Sequence, residues 1–280
     1  MPKLTPGLAA VAMAGLAACS ATPEPAAERT SEVVLTSEVE WGPLNPARGD
    51  RGPKAGTLWG DRTGPGPSGF LVEFLDGFES PPHIHNVSYR GVVLSGLIHN
   101  DDPNADDLWL PPGSFWTQPK GAVHVTAARG SHNLAYIEIE EGPYLVLPVE
   151  EEFDSGEVPV NVDRSNVVWL DQPGTPAAAR GPRVAYLWGN PRDDRLSGAL
   201  VELPAGFTGA IRSRGPSFRA VVIQGLPGYR VPGAPGATAM EPGSSFSSRG
   251  ESEHQVSCEA GQGCILYVRV EGGFDVVPAP

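Results

Sequence analysis

Apolar residues along this chain come in short runs broken by glycine and proline. Val92–Leu94, Leu97–Ile98, Val123–Thr126 and Ala135–Ile139 are runs of this kind, with polar and apolar positions interleaved. Such runs predict short β-strands, since alternate residues of a strand face opposite ways. No apolar stripe recurs at helical spacing over ten or more residues. The pattern therefore predicts an all-β protein of many short strands, a sandwich or a barrel.

The pattern also repeats, about 130 residues apart. Leu58-Trp59-Gly60 returns as Leu187-Trp188-Gly189, and Ser68–Glu73 as Ser197–Glu202. Tyr89–Gly96 is answered by Phe218–Gly225, Pro112-Gly113-Ser114 by Pro242-Gly243-Ser244, and Tyr136–Gly142 by Tyr267–Gly273. Blocks kept in one order mark a duplication. The expected units are residues 35–150 and 163–280, joined through the acidic, non-repeating stretch Glu151–Asp163.

The first residues depart from this pattern. Lys3 precedes the small and apolar run Leu8–Leu16, which ends in Leu16-Ala17-Ala18-Cys19. The run is shorter than the roughly 20 residues of a spanning helix and has the length of a secretory core. The tetrapeptide resembles a bacterial lipobox. That resemblance implies a signal peptide over residues 1–19, lipidation at Cys19, and a lipoprotein at the periplasmic face of the outer membrane. Residues 20–34 are expected to form a flexible tether. Export gives the other two cysteines a use: Cys258 and Cys264 flank Glu-Ala-Gly-Gln-Gly, an expected hairpin loop, and are candidates for a disulfide.

Composition narrows the partners. With 280 residues, 40% of them hydrophobic, the chain can fill about two domain cores. The 35 glycines and 30 prolines suit many turns. The formal charge is −13 without a long basic run. Nucleic acid, whose binding needs clustered cations to release counterions, is therefore not an expected partner. Membrane contact is expected through the lipid anchor alone.

The candidate chemistry begins at Pro81-Pro82-His83-Ile84-His85. On a strand His83 and His85 share a face with Tyr89, and two imidazoles about 7 Å apart can converge on one ion. A third donor is His124, in Gly113-Ser114-Phe115-Trp116-Thr117-Gln118-Pro119-Lys120-Gly121-Ala122-Val123-His124.

Together these stretches resemble the two motifs of the cupin superfamily. The first has His-x-His, then Glu, then Gly; here it is His83-x-His85, Tyr89 and Gly96. The second is Gly, five residues, Pro-x-Gly, two residues, His, matched by Gly113, Pro119, Gly121 and His124. The resemblance implies two tandem jelly-roll barrels, with a metal held inside the first by His83, His85 and His124. It is strongest over residues 81–124 and extends to bicupins of uncharacterised function and to the cupin modules of zinc-containing anti-sigma factors. An anti-sigma role is disfavoured, because the sequence has no helical segment for binding a sigma factor. Tyr89 replaces the family's Glu. A phenol, with its pKa of about 10, is a poor ligand, so Tyr89 is expected beside the ion as a hydrogen-bond donor. The donor set suits one divalent transition metal, zinc or iron foremost, with manganese and nickel also compatible.

The second unit places Arg212, Arg214 and Phe218 where the first has His83, His85 and Tyr89, keeping only His254. Arginine has no lone pair to donate, so no metal is expected there. An ion pair is the expected use of these arginines, with an anion pocket as the rival. Two functions follow: a metal-dependent enzyme, oxidative or hydrolytic, acting on a small molecule, or a non-catalytic binding or sensor module. No catalytic acid or base is identified; Glu138 is weighed for that role against its counterpart Arg269, which argues for a variable position. His99 is a pocket or loop residue, and His132 a loop residue facing solvent. Trp109, Phe115 and Trp116 are core or cavity wall. Asp101, Asp102, Asp106 and Asp107 belong to a solvated hairpin. A homodimer is an expectation from the resemblance.

Overall fold

The computed structural model describes residues 1, 31–172, 181–190, 195–231 and 233–279. The lipobox Cys19 and the tether up to residue 30 lie outside the described residues. The described chain is all antiparallel β, with a few single-turn 3-10 segments. Among its described residues no helix is long and apolar enough to cross a membrane.

The duplication appears strand for strand. One seven-stranded sheet runs in the order Val160–Val162, Phe115–Gln118, Tyr89–Asp101, Val125–Ile139, Ser68–Phe74, Lys54–Gly60, Trp41–Pro43. The other runs Ser31–Val34, Ser245–Arg249, Ser217–Gln224, Cys264–Glu271, Leu196–Leu203, Arg183–Trp188, Leu170–Asp171. A five-stranded sheet completes the second unit, and a two-stranded pair of Ile84–His85 with Val146–Leu147 lies beside the first.

The expected jelly-roll barrels are not formed. Among the described residues no sheet closes on itself; each ends in two edges. Closure requires the edge strands to pair with each other. Here the outermost strands of the first sheet are three residues long, Trp41–Pro43 and Val160–Val162, and each pairs with one neighbour only. The long strands Tyr89–Asp101 and Val125–Ile139 instead pair through register shifts around Ser95. Gly96 lies there with φ +74°, where a Cβ would strike Asn133.

The end strands cross between the units. Ser31–Val34 pairs with Ser245–Ser248 of the second unit, and Val160–Val162 pairs with Phe115–Thr117 of the first. Each unit thus lends its leading strand to the other's sheet. Residues 31–34, expected within the tether, are a strand of the body, and the connecting stretch 151–163 contains another.

The two large sheets also share a core. In Ser68–Phe74, Phe70, Val72 and Phe74 face the interior of the first unit, whereas Leu71 faces the second unit. Leu200 does the same in Leu196–Leu203, opposite to Ala199, Val201 and Leu203. A sheet covered on both faces has apolar residues on both, so these strands read as continuous rather than alternating hydrophobic runs.

Candidate metal centre

His83, His85 and His124 come together although 41 positions of sequence separate the first from the last. Their candidate ligand atoms all lie within 4.8 Å of one another. Ring centroids are 5.0 Å apart for His83 and His85, 4.3 Å for His83 and His124, and 5.1 Å for His85 and His124. An isolated β-bridge joins His83 to His124, with reciprocal N–H to carbonyl bonds of 3.0 Å. The amide of Gly121 donates to the carbonyl of His85 at 2.8 Å. Gly121 has φ +77° and would place a Cβ against Phe153, which is why this motif position takes glycine.

Each imidazole is oriented by the backbone. Nδ1 of His83 lies 2.9 Å from the carbonyl of Pro81, Nδ1 of His85 2.7 Å from that of Leu145, and Nδ1 of His124 3.2 Å from that of Ala122. A carbonyl can only accept, so each Nδ1 carries the proton and each Nε2 keeps its lone pair. Burial pushes all three imidazoles below their ordinary pKa, His124 to about 3, with the neighbouring histidines adding to the effect at His85 and His124. The nearby Arg48 charge adds to it at His83. Three neutral imidazoles with fixed tautomers and inward lone pairs are the donor set that a divalent transition metal takes. The residues fit the ion.

Tyr89 stands beside this cluster. Its hydroxyl donates to Asn100 Oδ1 at 2.8 Å and lies 3.5 Å from His124 Nε2. Thr126 Oγ1 donates to the same Asn100 oxygen at 2.8 Å, and Asn100 Nδ2 donates to Gln118 Oε1 at 3.0 Å. Gln118 Nε2 in turn donates to the Ala122 carbonyl at 3.1 Å, the group that orients His124. Burial raises the Tyr89 phenol well above its ordinary pKa, so it remains a donor.

Sequence reasoning missed Tyr144. Its ring stacks on His85 with centroids 4.3 Å apart, and its hydroxyl donates to His85 Nε2 at 3.1 Å. It also missed Asn100, because the register shifts near Ser95 break the alternation that parity reasoning needs. A cavity of about 50 Å³ adjoins the cluster, walled by Val72, Phe74, Phe78, Trp116 and Ile137 and bordered by Arg48. Trp116 is thus cavity wall, whereas Phe115 belongs to the core between the units.

The remaining residues lie elsewhere. Glu138 is buried, but it faces the second unit and receives hydrogen bonds from Tyr136 at 3.2 Å and Tyr267 at 2.7 Å. His99 is buried against the Leu108 carbonyl and Trp109, in an outer groove. His132 is exposed near Glu73. Asp101 and Asp102 cap turn amides. In the second unit Arg212 pairs with Glu253 at 2.7 Å and Arg214 with Asp275 at 3.0 Å, both exposed. His254 is enclosed by Tyr229, Ser248 and Ser252, each within 3.1 Å of a ring nitrogen, and stacks on Phe218. A disulfide joins Cys258 and Cys264.

Residues 32–277 match a family described as a domain of unknown function (DUF4437). The chain belongs to this family. No curated protein matches it in sequence. Among solved structures it resembles a protein of Nostoc punctiforme provisionally assigned as a dioxygenase. That match has a TM-score of 0.65 and 15% identity over 90% of this chain and 88% of that one. It also resembles the formate complex of oxalate decarboxylase from Lactobacillus farciminis, with a TM-score of 0.56 and 11% identity over 88% of each chain. AerE from Microcystis aeruginosa gives a TM-score of 0.56 and 10% identity over 85% of this chain and 97% of that one. These likenesses make the fold cupin-like. None of the three is an anti-sigma factor, and that part of the sequence resemblance gains no support.

Proposed function

We propose that this family member is a metal-dependent enzyme that acts on a small molecule at His83, His85 and His124. The observation that carries the reading is the common tautomer of the three clustered imidazoles, each tied at Nδ1 to a backbone carbonyl and keeping its Nε2 lone pair, with His83 and His85 on the wall of a cavity. The three histidines would hold one divalent ion, zinc or iron foremost with manganese or nickel also suited, which would supply a Lewis acid when bound.

The surrounding residues have separable tasks. Tyr144 donates to the His85 lone pair that an ion would take, so with a metal held there its hydroxyl would be free to donate elsewhere. Tyr89 is held by Asn100 and stays protonated, a donor rather than a ligand. Phe74, Phe78, Trp116 and Ile137 keep water from the walls, which strengthens polar interactions inside. The disulfide between Cys258 and Cys264 supports an oxidising compartment, in keeping with the lipoprotein reading of Cys19.

The test is metal content after purification without added metal, for the protein and its His83→Ala/His85→Ala variant. The expected result is one equivalent in the former and none in the latter; a variant retaining all its metal would place the centre elsewhere. Turnover is then followed for β-diketones, thiols and phenols with Fe(II) or Zn(II). A fully loaded protein inert toward all of them supports the binding-module reading instead.

A further inference from the structure

Among the described residues Arg48 is the one permanently charged side chain on the wall of the metal cavity; the others lining it are apolar groups, hydroxyls, amides and imidazoles. It projects from the short 3-10 segment Pro46–Arg51 and is half-buried. Among the described residues no carboxylate lies within ion-pair distance of it. Arg48 also lines an open outer groove with Arg51, Asp76 and Glu79, and so stands between that groove and the inner cavity. A guanidinium without a counterion beside apolar walls lacks the partner that normally offsets its desolvation.

We propose that Arg48 binds the carboxylate of a short-chain organic acid, which it admits from the outer groove and holds with its hydrocarbon end against the apolar wall of the metal cavity. The proposal rests on the active-site reading above and names its substrate class. A carboxylate fits because its two oxygens match the planar fork of one guanidinium. Inorganic phosphate needs donors around several oxygens, and one arginine does not supply them. The cavity, about 50 Å³, has room for roughly four water-sized groups, which restricts the acid to a small one. Trp116 stands on the same wall, its ring edge-on to that of Tyr89 with centroids 6.4 Å apart.

The test is calorimetric titration of the full chain, metal-loaded and metal-free, with acetate, propionate, butyrate and benzoate. Acetamide, propionamide, butyramide and benzamide serve as neutral isosteres, and inorganic phosphate as a second anion. At least one acid is expected to bind saturably, and its amide and phosphate weakly or not at all. Arg48→Gln should lose at least about tenfold in affinity, the worth of a charge-assisted hydrogen bond. Arg48→Lys should retain part of it. Arg51→Gln, altered only in the outer groove, should bind like the parent. The proposal is overturned if no acid binds, if amide or phosphate binds as tightly as the acid, or if Arg48→Gln binds unchanged. Metal content is measured on the same samples. Full metal without acid binding ends this proposal alone, whereas loss of metal from the parent ends the enzyme reading.

Discussion

Tyr267 of the second unit donates its hydroxyl to Glu138 of the first, Oη to Oε1 at 2.7 Å. Tyr136, the counterpart of Tyr267 in the duplication, donates to the other oxygen of the same carboxylate at 3.2 Å. Trp59 and Trp188, also counterparts, donate to these two phenols at 3.0 and 2.8 Å. The arrangement is two-fold except at its centre, where Glu138 has Arg269 as counterpart. Arg269 pairs with Glu140 of the first unit through both terminal nitrogens, at 2.9 and 2.7 Å. One copy supplies the acid and the other the base, so the two units fit each other better than either fits itself.

Glu138→Ala is expected to destabilise the protein by about 3 kcal/mol, because two buried phenols lose their acceptor. Glu138→Gln keeps one acceptor and should cost about 1 kcal/mol. Urea unfolding measures both, and metal content should not change, since Glu138 faces away from the histidines. An Ala variant as stable as the parent would remove the carboxylate from the lock between units.

Asn100→Leu is expected to weaken metal binding roughly tenfold or more. Asn100 holds Tyr89, Thr126 and Gln118, and Gln118 holds the carbonyl that orients His124. Competition titration with a zinc chelator measures the change. Unaltered affinity would mean that the imidazoles need no such support.

Stability should fall with acid partly through His254, whose burial holds its pKa down at about 4. An unfolded histidine titrates near 6.5. A depressed folded value contributes stability that is fully present above about pH 6.5 and is lost as pH falls toward about pH 4, up to roughly 3 kcal/mol. His254→Gln should flatten this part of the profile even though it lowers the plateau. Urea midpoints across that range, compared between parent and variant, give the answer; equal slopes would assign the acid loss to other groups.

Removal of residues 31–34 uncovers the edge of Ser245–Arg249. Hydrogen exchange at Ser245–Ser248 should accelerate, and the second unit should lose stability through the loss of Val33 from its core. Metal binding should be unaffected. Unchanged protection at Ser245–Ser248 would deny the crossed strand its role.

The amino-acid order alone determined that the protein is all-β, that it is a duplication, and that His83, His85 and His124 are its metal-ligand candidates. Short apolar runs, a repeated order of blocks and fixed motif spacings are local properties, and local properties can be read along a chain. Tertiary structure decided what depends on which surfaces meet. It left the sheets open rather than closed, because that turns on the pairing of short edge strands. It exchanged the leading strands, because Ser31–Val34 finds its partner more than 200 residues away. Asn100 reached the site through shifts of register that no periodicity reports, and Tyr144 through a return of the chain past His85. Arg48 met the cavity only once a 3-10 turn was laid across its mouth.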